Sequence, residues 1–290
     1  AVRNRLQLTI AGAGEMAGFL CRWDRFHPKA FEALANHRFS VLGLAVEPNV
    51  FSSRGRGTVA RRLTASIRAA EWNERALQPR LRPCSTTIVC GSSDQQSLDD
   101  GAVKLVVTDP PYFDAVQYGE LSGLLLAWSE VVTERLREWR PNLRDEAVPS
   151  PARQISHAHH ERILSGIFKE TARTLAPRGT LILTYHSTNL LGWAAVGHAL
   201  HNSGFRMIGL ATAHSENEKD HAKRGTRSFT CDLVIECRKG QAGEYPLIVT
   251  RSRTSEQREL IAAGIAIAKR GAGKYEELAM EFLMLRRRLR

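Results

Sequence analysis

The sequence predicts an α/β fold: a mostly parallel sheet with an antiparallel edge hairpin and a C-terminal helical appendage. Three observations predict it. Beyond Pro83, short apolar runs rich in Val, Ile and Leu alternate with longer stretches of helical periodicity. The runs at 103–107 and 180–185 are mainly apolar, as in strands covered on both faces. Residues 241–290 then lose the strand signal, apart from Leu247-Ile248-Val249, and carry two helical stretches at 256–269 and 274–289.

In chain order, the segment Ile10-Ala11-Gly12-Ala13-Gly14-Glu15-Met16-Ala17-Gly18 reads either as a glycine loop after an apolar run or as one helix continuing through Leu20 and Trp23. Its Ala, Met and Leu content favours the helix. Val59, Leu63, Ile67, Ala70 and Leu77 recur at helical spacing. A strand is expected at 86–90 and a turn at Gly91-Ser92-Ser93-Asp94, followed by the strand 103–107. Residues 121–139 predict a helix, and 141–151, with three prolines, a loop. A helix over 159–175 stops at Pro177-Arg178-Gly179, and a strand follows at 180–185. A helix at 190–202, the turn Ser203-Gly204, strands at 205–211 and 231–237 and a polar loop over 212–230 complete the sheet. The domains expected are 1–240 for the sheet and 241–290 for the basic helical appendage, which closes in Arg286-Arg287-Arg288.

The chain has 290 residues, 43% of them hydrophobic and 24% charged, which excludes disorder and collagen-like repeats as its main description. It has no run of about 18 apolar residues and no basic-then-apolar leader, so a cytoplasmic protein is expected. Ala1 in place of methionine suggests a piece of a longer protein. Five scattered cysteines without a C-x-x-C pair suit reduced thiols, and no metal site is expected.

The net charge of +11 favours a polyanionic partner, against the alternative of an Arg-biased composition. Its distribution favours the partner. Between residues 51 and 83 stand eight arginines against two glutamates, more than half of the surplus. Helical spacing sets Arg61, Arg68 and Arg75 together opposite the apolar stripe, behind a loop that holds Arg54 and Arg56. Such a face suits a phosphate backbone; a solvated face without a partner is the alternative.

The most specific feature is Asp109-Pro110-Pro111-Tyr112 at the C-terminal end of an apolar strand, where open α/β sheets bind ligands. Two prolines fix φ and remove two backbone donors, which leaves the Asp109 carboxylate and the Pro110 carbonyl as converging acceptors for an amino group. Tyr112 offers a flat face for a base.

On this motif the chain resembles the amino-group DNA methyltransferases, which carry an Asp/Asn/Ser-Pro-Pro-Tyr/Phe motif. It is most similar to the large adenine-specific DNA methylases that have an additional N-terminal domain of unknown function. The residues that carry the resemblance, over about 40–240, run from Val106 through Asp114, with Tyr118, Thr184-Tyr185-His186-Ser187, Trp193, Gly204-Phe205, His214-Ser215-Glu216 and the strand ending at Arg238.

The resemblance implies a Rossmann-like methyltransferase sheet and methyl transfer from S-adenosylmethionine to an exocyclic amine of a flipped DNA base, adenine N6 before cytosine. Asp109 and Pro110, followed by Pro111, would hold the amine while Tyr112 stacks on the base. RNA amino-methylation is the alternative, as is a nucleic-acid-binding module without a complete cofactor site. For the cofactor, the resemblance implies Ser92 and Asp94 after the third strand, Thr108 beside the motif, and Glu47 as the acidic ribose partner, with a loop glutamate of no role as the alternative to the last. If Gly12 and Gly14 lie in a helix, the cofactor glycines belong to an upstream segment or a partner subunit.

His157, His159 and His160 read as a solvated helix start in preference to a metal site. His186, at a strand end, is either a site residue that meets the nucleic acid or a hydrogen-bonded structural histidine. Glu216, in a loop with Lys219, Lys223, Arg224 and Arg227, belongs either to a flap on the nucleic acid or to a plain exposed loop.

Overall fold

A computed structural model describes residues 2–17, 22–24, 29–31, 49–53, 55, 57–76, 85–113, 116–130, 143–214, 229–240, 246–271 and 273–288. Among these, no helix is long and apolar enough to cross a membrane. The chain divides into two compact units, Ala1–Ile88 with Gln117–Glu146, and Val89–Val116 with Ala147–Arg290. This departs from the single domain expected over 1–240.

In the first unit, α1 (Val2–Ala17) contains Gly12 and Gly14, so the helical reading holds that far, but Trp23, expected in the same helix, lies in a strand over Arg22–Asp24. β1 (Arg22–Asp24) and β2 (Lys29–Phe31) pair antiparallel. α2 (Val59–Ala76) starts behind Thr58, whose Oγ1 accepts from the Arg61 N–H at 3.3 Å. It packs on α1 through a Thr9–Ser66 hydroxyl pair at 3.1 Å. α2 buries none of its residues: Leu63 and Ile67 stay partly exposed, so its apolar stripe is less covered than its spacing predicts. α3 (Tyr118–Glu130) has its Gly119 N–H satisfied by Glu146 Oε1 at 2.8 Å.

The second unit is built on a five-stranded mixed sheet in the order β3-β4-β6-β5-β7, with β3 (Val103–Thr108), β4 (Leu175–Tyr185), β5 (Phe205–His214), β6 (Cys231–Lys239) and β7 (Ile248–Val249). β3 runs parallel to β4 and β7 parallel to β5, whereas β6 is antiparallel to both β4 and β5. The β5–β6 hairpin forms as expected but not at the edge, because β7 adds to the far side of β5.

Residues 85–90 form no strand and are exposed, contrary to the expectation for 86–90. Thr, Ile and Val favour a pleated surface only where a ladder partner and a covering face exist. The stretch 96–100 is fixed instead to α4 (His157–Thr174): the Gln96 N–H donates to Glu170 Oε1 at 2.8 Å, and Arg173 donates to Asp100, Glu170 and the Gln96 carbonyl.

α4 passes directly into β4 at Leu175, before the Pro177-Arg178-Gly179 turn expected to end it. α5 (Leu190–Asn202) is capped by Asn189, whose side chain accepts from the Leu191 N–H, and is buried over most of its circumference. Gly204 then takes φ +79°, a left-handed turn open to glycine without strain, and feeds β5.

On one face of the sheet Leu181, Leu183, Tyr185, Leu233, Ile235 and Cys237 meet Leu164 and Phe168 of α4, Trp193 and Leu200 of α5, and the final two helices. Those helices, α6 (Ser255–Arg270) and α7 (Tyr275–Arg288), were expected as an appendage at 241–290. They are part of this core: Leu260, Ile261, Ala262, Ala263, Ala266, Ile267, Leu278, Phe282 and Leu285 are buried in it. α6 lies so close to the sheet that a Cβ on Gly264 would stand 2.7 Å from Leu233. A Thr254–Gln257 capping box starts α6, and Glu256 accepts from the backbone N–H groups of Thr230 and Cys231, fastening the beginning of β6.

Candidate active site

Strand register assembles the site. Thr108 pairs with Leu183 in the parallel ladder, which brings Asp109 level with Thr184; Tyr185 pairs with Leu233 in the antiparallel ladder, which brings His186 level with Asp232. Residues alternate faces along a strand, so Thr184 and His186 share the face opposite the Leu183 and Tyr185 core positions. Four polar side chains from three chain segments thereby line one end of the sheet.

Thr184 Oγ1 donates to Asp109 Oδ1 at 2.6 Å, and Tyr112 Oη donates to the same oxygen at 2.9 Å. Among the described residues Asp109 Oδ2 takes no hydrogen bond. Asp109 itself is exposed, whereas Pro110 behind it is buried. Burial, followed by the bond to Asp109 and the Asp232 and Asp109 charges, pushes the Tyr112 phenol well above its ordinary range. Tyr112 is therefore a neutral donor throughout the working pH range.

The Tyr112 ring meets the His186 ring at a centroid distance of 4.3 Å and Tyr185 edge-on at 5.7 Å. His186 Nδ1 lies 2.6 Å from Asp232 Oδ1, and Phe229 borders the imidazole at 5.9 Å. On the far side of the turn, buried Phe113 stacks on His157 at 4.9 Å and meets His160 edge-on at 5.2 Å. His160 is fully buried with Nδ1 at 2.7 Å from the Ala147 carbonyl, so it is a packing residue and not part of a solvated helix start. Beneath the site Tyr185 meets Trp193 edge-on, and the Trp193 indole N–H donates to the Ser187 carbonyl at 2.9 Å. Gly192 makes this floor possible: a Cβ there would stand 2.8 Å from both Ser187 Oγ and Tyr185 Oη.

Of the residues singled out in the sequence, Thr108, Asp109, Pro110, Pro111, Tyr112 and His186 come together at this strand end. Asp94 lies instead beside Gly166 of α4, and Ser92 stands exposed in the same turn; no hydrogen bond among the described residues ties either side chain to Asp109. Arg61 and Arg68 are exposed on α2 in the first unit. Glu47, Arg54, Arg56 and Glu216 lie outside the described residues. Sequence reasoning passed over Thr184 and Asp232 as site residues. Their one signal is a polar residue near the end of an apolar strand, in Ile182-Leu183-Thr184 and Cys231-Asp232-Leu233, and the register that makes it meaningful is a tertiary fact. No group of three or more His, Cys, Asp or Glu among the described residues could hold a metal ion.

No family model matches the sequence, and no curated protein matches it. Among solved structures the chain is similar to TTHA0409 from Thermus thermophilus, named a "Putative DNA Modification Methylase", at 18% identity and a TM-score of 0.31, over 58% of this chain and 57% of that one. It is also similar to the same protein complexed with S-adenosyl-L-methionine, at 18% identity and a TM-score of 0.27, over 56% and 53% of the two chains. The chain thus spans a little over half the length of that protein.

Proposed function

We propose that the chain transfers a methyl group from S-adenosylmethionine to an exocyclic amino group of a nucleic-acid base, with N6 of adenine in DNA as the first substrate. The observation that carries this reading is the Asp109 carboxylate, with one oxygen fixed by two hydroxyls and the other without a hydrogen bond among the described residues. An amino group brings two N–H donors, which the open Asp109 oxygen and the Pro110 carbonyl receive, while the base stacks on Tyr112. The amine is a weak nucleophile because its lone pair is delocalised into the ring. Two acceptors that draw it towards a tetrahedral geometry localise that pair, and catalysis rests on positioning and fixed dipoles.

S-adenosylmethionine is a co-substrate here and supplies an electrophilic sulfonium methyl. Of the contacts expected for it, Thr108 stands beside the reacting turn, while Asp94 lies along α4. The surplus of positive charge, with Arg61 and Arg68 exposed on α2, supports a nucleic acid as the acceptor.

The test is transfer of labelled methyl groups to duplex DNA with adenine or cytosine as the available amine, and to structured RNA. Asp109→Ala is expected to lower the rate by at least about a hundredfold. Undiminished transfer in that variant removes the reading. The dispersal of the cofactor contacts favours one second reading, a nucleic-acid-binding module; salt-sensitive DNA binding with no heat on titration with S-adenosylmethionine would select it.

A further inference from the structure

Beside the Tyr112 ring, tilted to it by 49° at a centroid distance of 4.3 Å, the imidazole of His186 forms a His–Asp pair that the reading above leaves unused. Asp232 is buried and accepts from His186 Nδ1, so the neutral imidazole carries its hydrogen on Nδ1 and a lone pair on Nε2. Among the described residues Nε2 takes part in no hydrogen bond. The side chains of His186 and Asp232 keep only 14% and 9% of their exposure, so the pair is largely shielded from bulk water.

We propose that His186, oriented by Asp232, accepts the proton that the amino nitrogen loses on methylation; this rests on the methyl-transfer reading. The nitrogen lone pair forms the new N–C bond as the C–S bond breaks, and that electron pair leaves on sulfur as a neutral thioether. The methylated nitrogen, now positively charged, gives one N–H proton to Nε2. The imidazolium is held against the Asp232 carboxylate and passes the proton to solvent after product leaves.

The alternatives at the site are poorer acceptors. The open oxygen of Asp109 belongs to a carboxylate, a group intrinsically less basic than an imidazole, and Tyr112 stays a phenol. A purely architectural tie between β4 and β6 would duplicate the ladder that already joins them through Tyr185 and Leu233, and it would not need a titratable ring beside Tyr112. Among the described residues, the groups that face the imidazole are the Asp232 carboxylate from β6 and the Tyr112 phenol from the turn after β3, with Phe229 as an apolar border.

The experiment measures kcat and KM for methyl transfer against pH in the whole chain, in His186→Gln and in Asp232→Asn, with thermal midpoints to confirm folding. It also records the tautomer of His186 by nitrogen NMR. In the unsubstituted chain the rate is expected to fall on the acid side, as it does for any step that needs a free base. His186→Gln is expected to flatten that limb and lower kcat about a hundredfold at neutral pH with little change in KM. Asp232→Asn moves the limb to lower pH, because the lost carboxylate no longer favours imidazolium. If His186→Gln fails to fold, the Asp232→Asn limb and the Nδ1–H tautomer decide the matter. An acid limb kept in His186→Gln while Asp109→Ala is inactive, or an Nε2–H tautomer, overturns the proposal and leaves the methyl-transfer reading standing; no transfer by the unsubstituted chain to DNA or RNA overturns both.

Discussion

One oxygen of Asp109 receives both the Tyr112 and the Thr184 hydroxyls, so the carboxylate is held by two donors that differ in what else they do. Tyr112 also presents a ring, whereas Thr184 contributes its hydroxyl alone. Tyr112→Phe keeps the ring and leaves Thr184 as the remaining anchor. It is expected to lower kcat/KM about tenfold, the scale of one hydrogen bond to a charged group, whereas Tyr112→Ala removes the stacking face as well and costs far more. Steady-state kinetics on an adenine-containing duplex separates the two, and equal losses would mean that the ring makes no contact with the base. Thr184→Val tests the second anchor in the same way, with a loss close to that of Tyr112→Phe.

At the scale of elements, the contact of α5 with the end of β4 depends on Gly192 having no side chain. Gly192→Ala forces a methyl against Ser187, Tyr185 and Phe113, at 2.8 to 3.0 Å, and is expected to destabilise the protein by about 1–3 kcal/mol, read from the urea midpoint. A second element-level device joins the chain before β3 to α4. The hydrogen bond from Arg173, then that from the Gln96 N–H, hold the Glu170 carboxyl well below its ordinary value of 4.5, at about 2. A depressed carboxylate adds stability that is fully present above the ordinary carboxyl pKa and is lost as pH falls through about 2. Hydrogen exchange at Gln96 is therefore expected to stay slow on acidification from pH 7 to 4. In Glu170→Gln the same amide is expected to exchange faster already at pH 7.

For the whole molecule, the apolar faces of α6 and α7 complete the core that Leu233 and Leu210 begin. A chain cut after Gly240 is expected to lose its cooperative thermal transition and near-ultraviolet circular dichroism; a truncated chain that unfolded like the intact one would show the two helices to be dispensable. The sequence misleads here for a physical reason. Helical periodicity reports that a face is apolar, not which surface covers it, and a terminal position with a basic end reads as peripheral. The same gap explains residues 85–90, whose Thr-Thr-Ile-Val composition is that of a strand, although strand formation depends on a partner that composition does not supply.

By itself the sequence determined the helices and most strands of the second unit, because those depend on local periodicity and on turn residues such as Gly204. It also determined the Asp109-Pro110-Pro111-Tyr112 turn, whose carboxylate, carbonyl and ring stand in four consecutive residues. Only the tertiary structure decided that the hairpin lies inside the sheet, that the C-terminal helices belong to the core, and that Asp109 meets Thr184 while His186 meets Asp232. Those contacts join residues 75 and 46 positions apart, and they exist through the strand register, which is fixed by how all the strands pack at once rather than by any one segment.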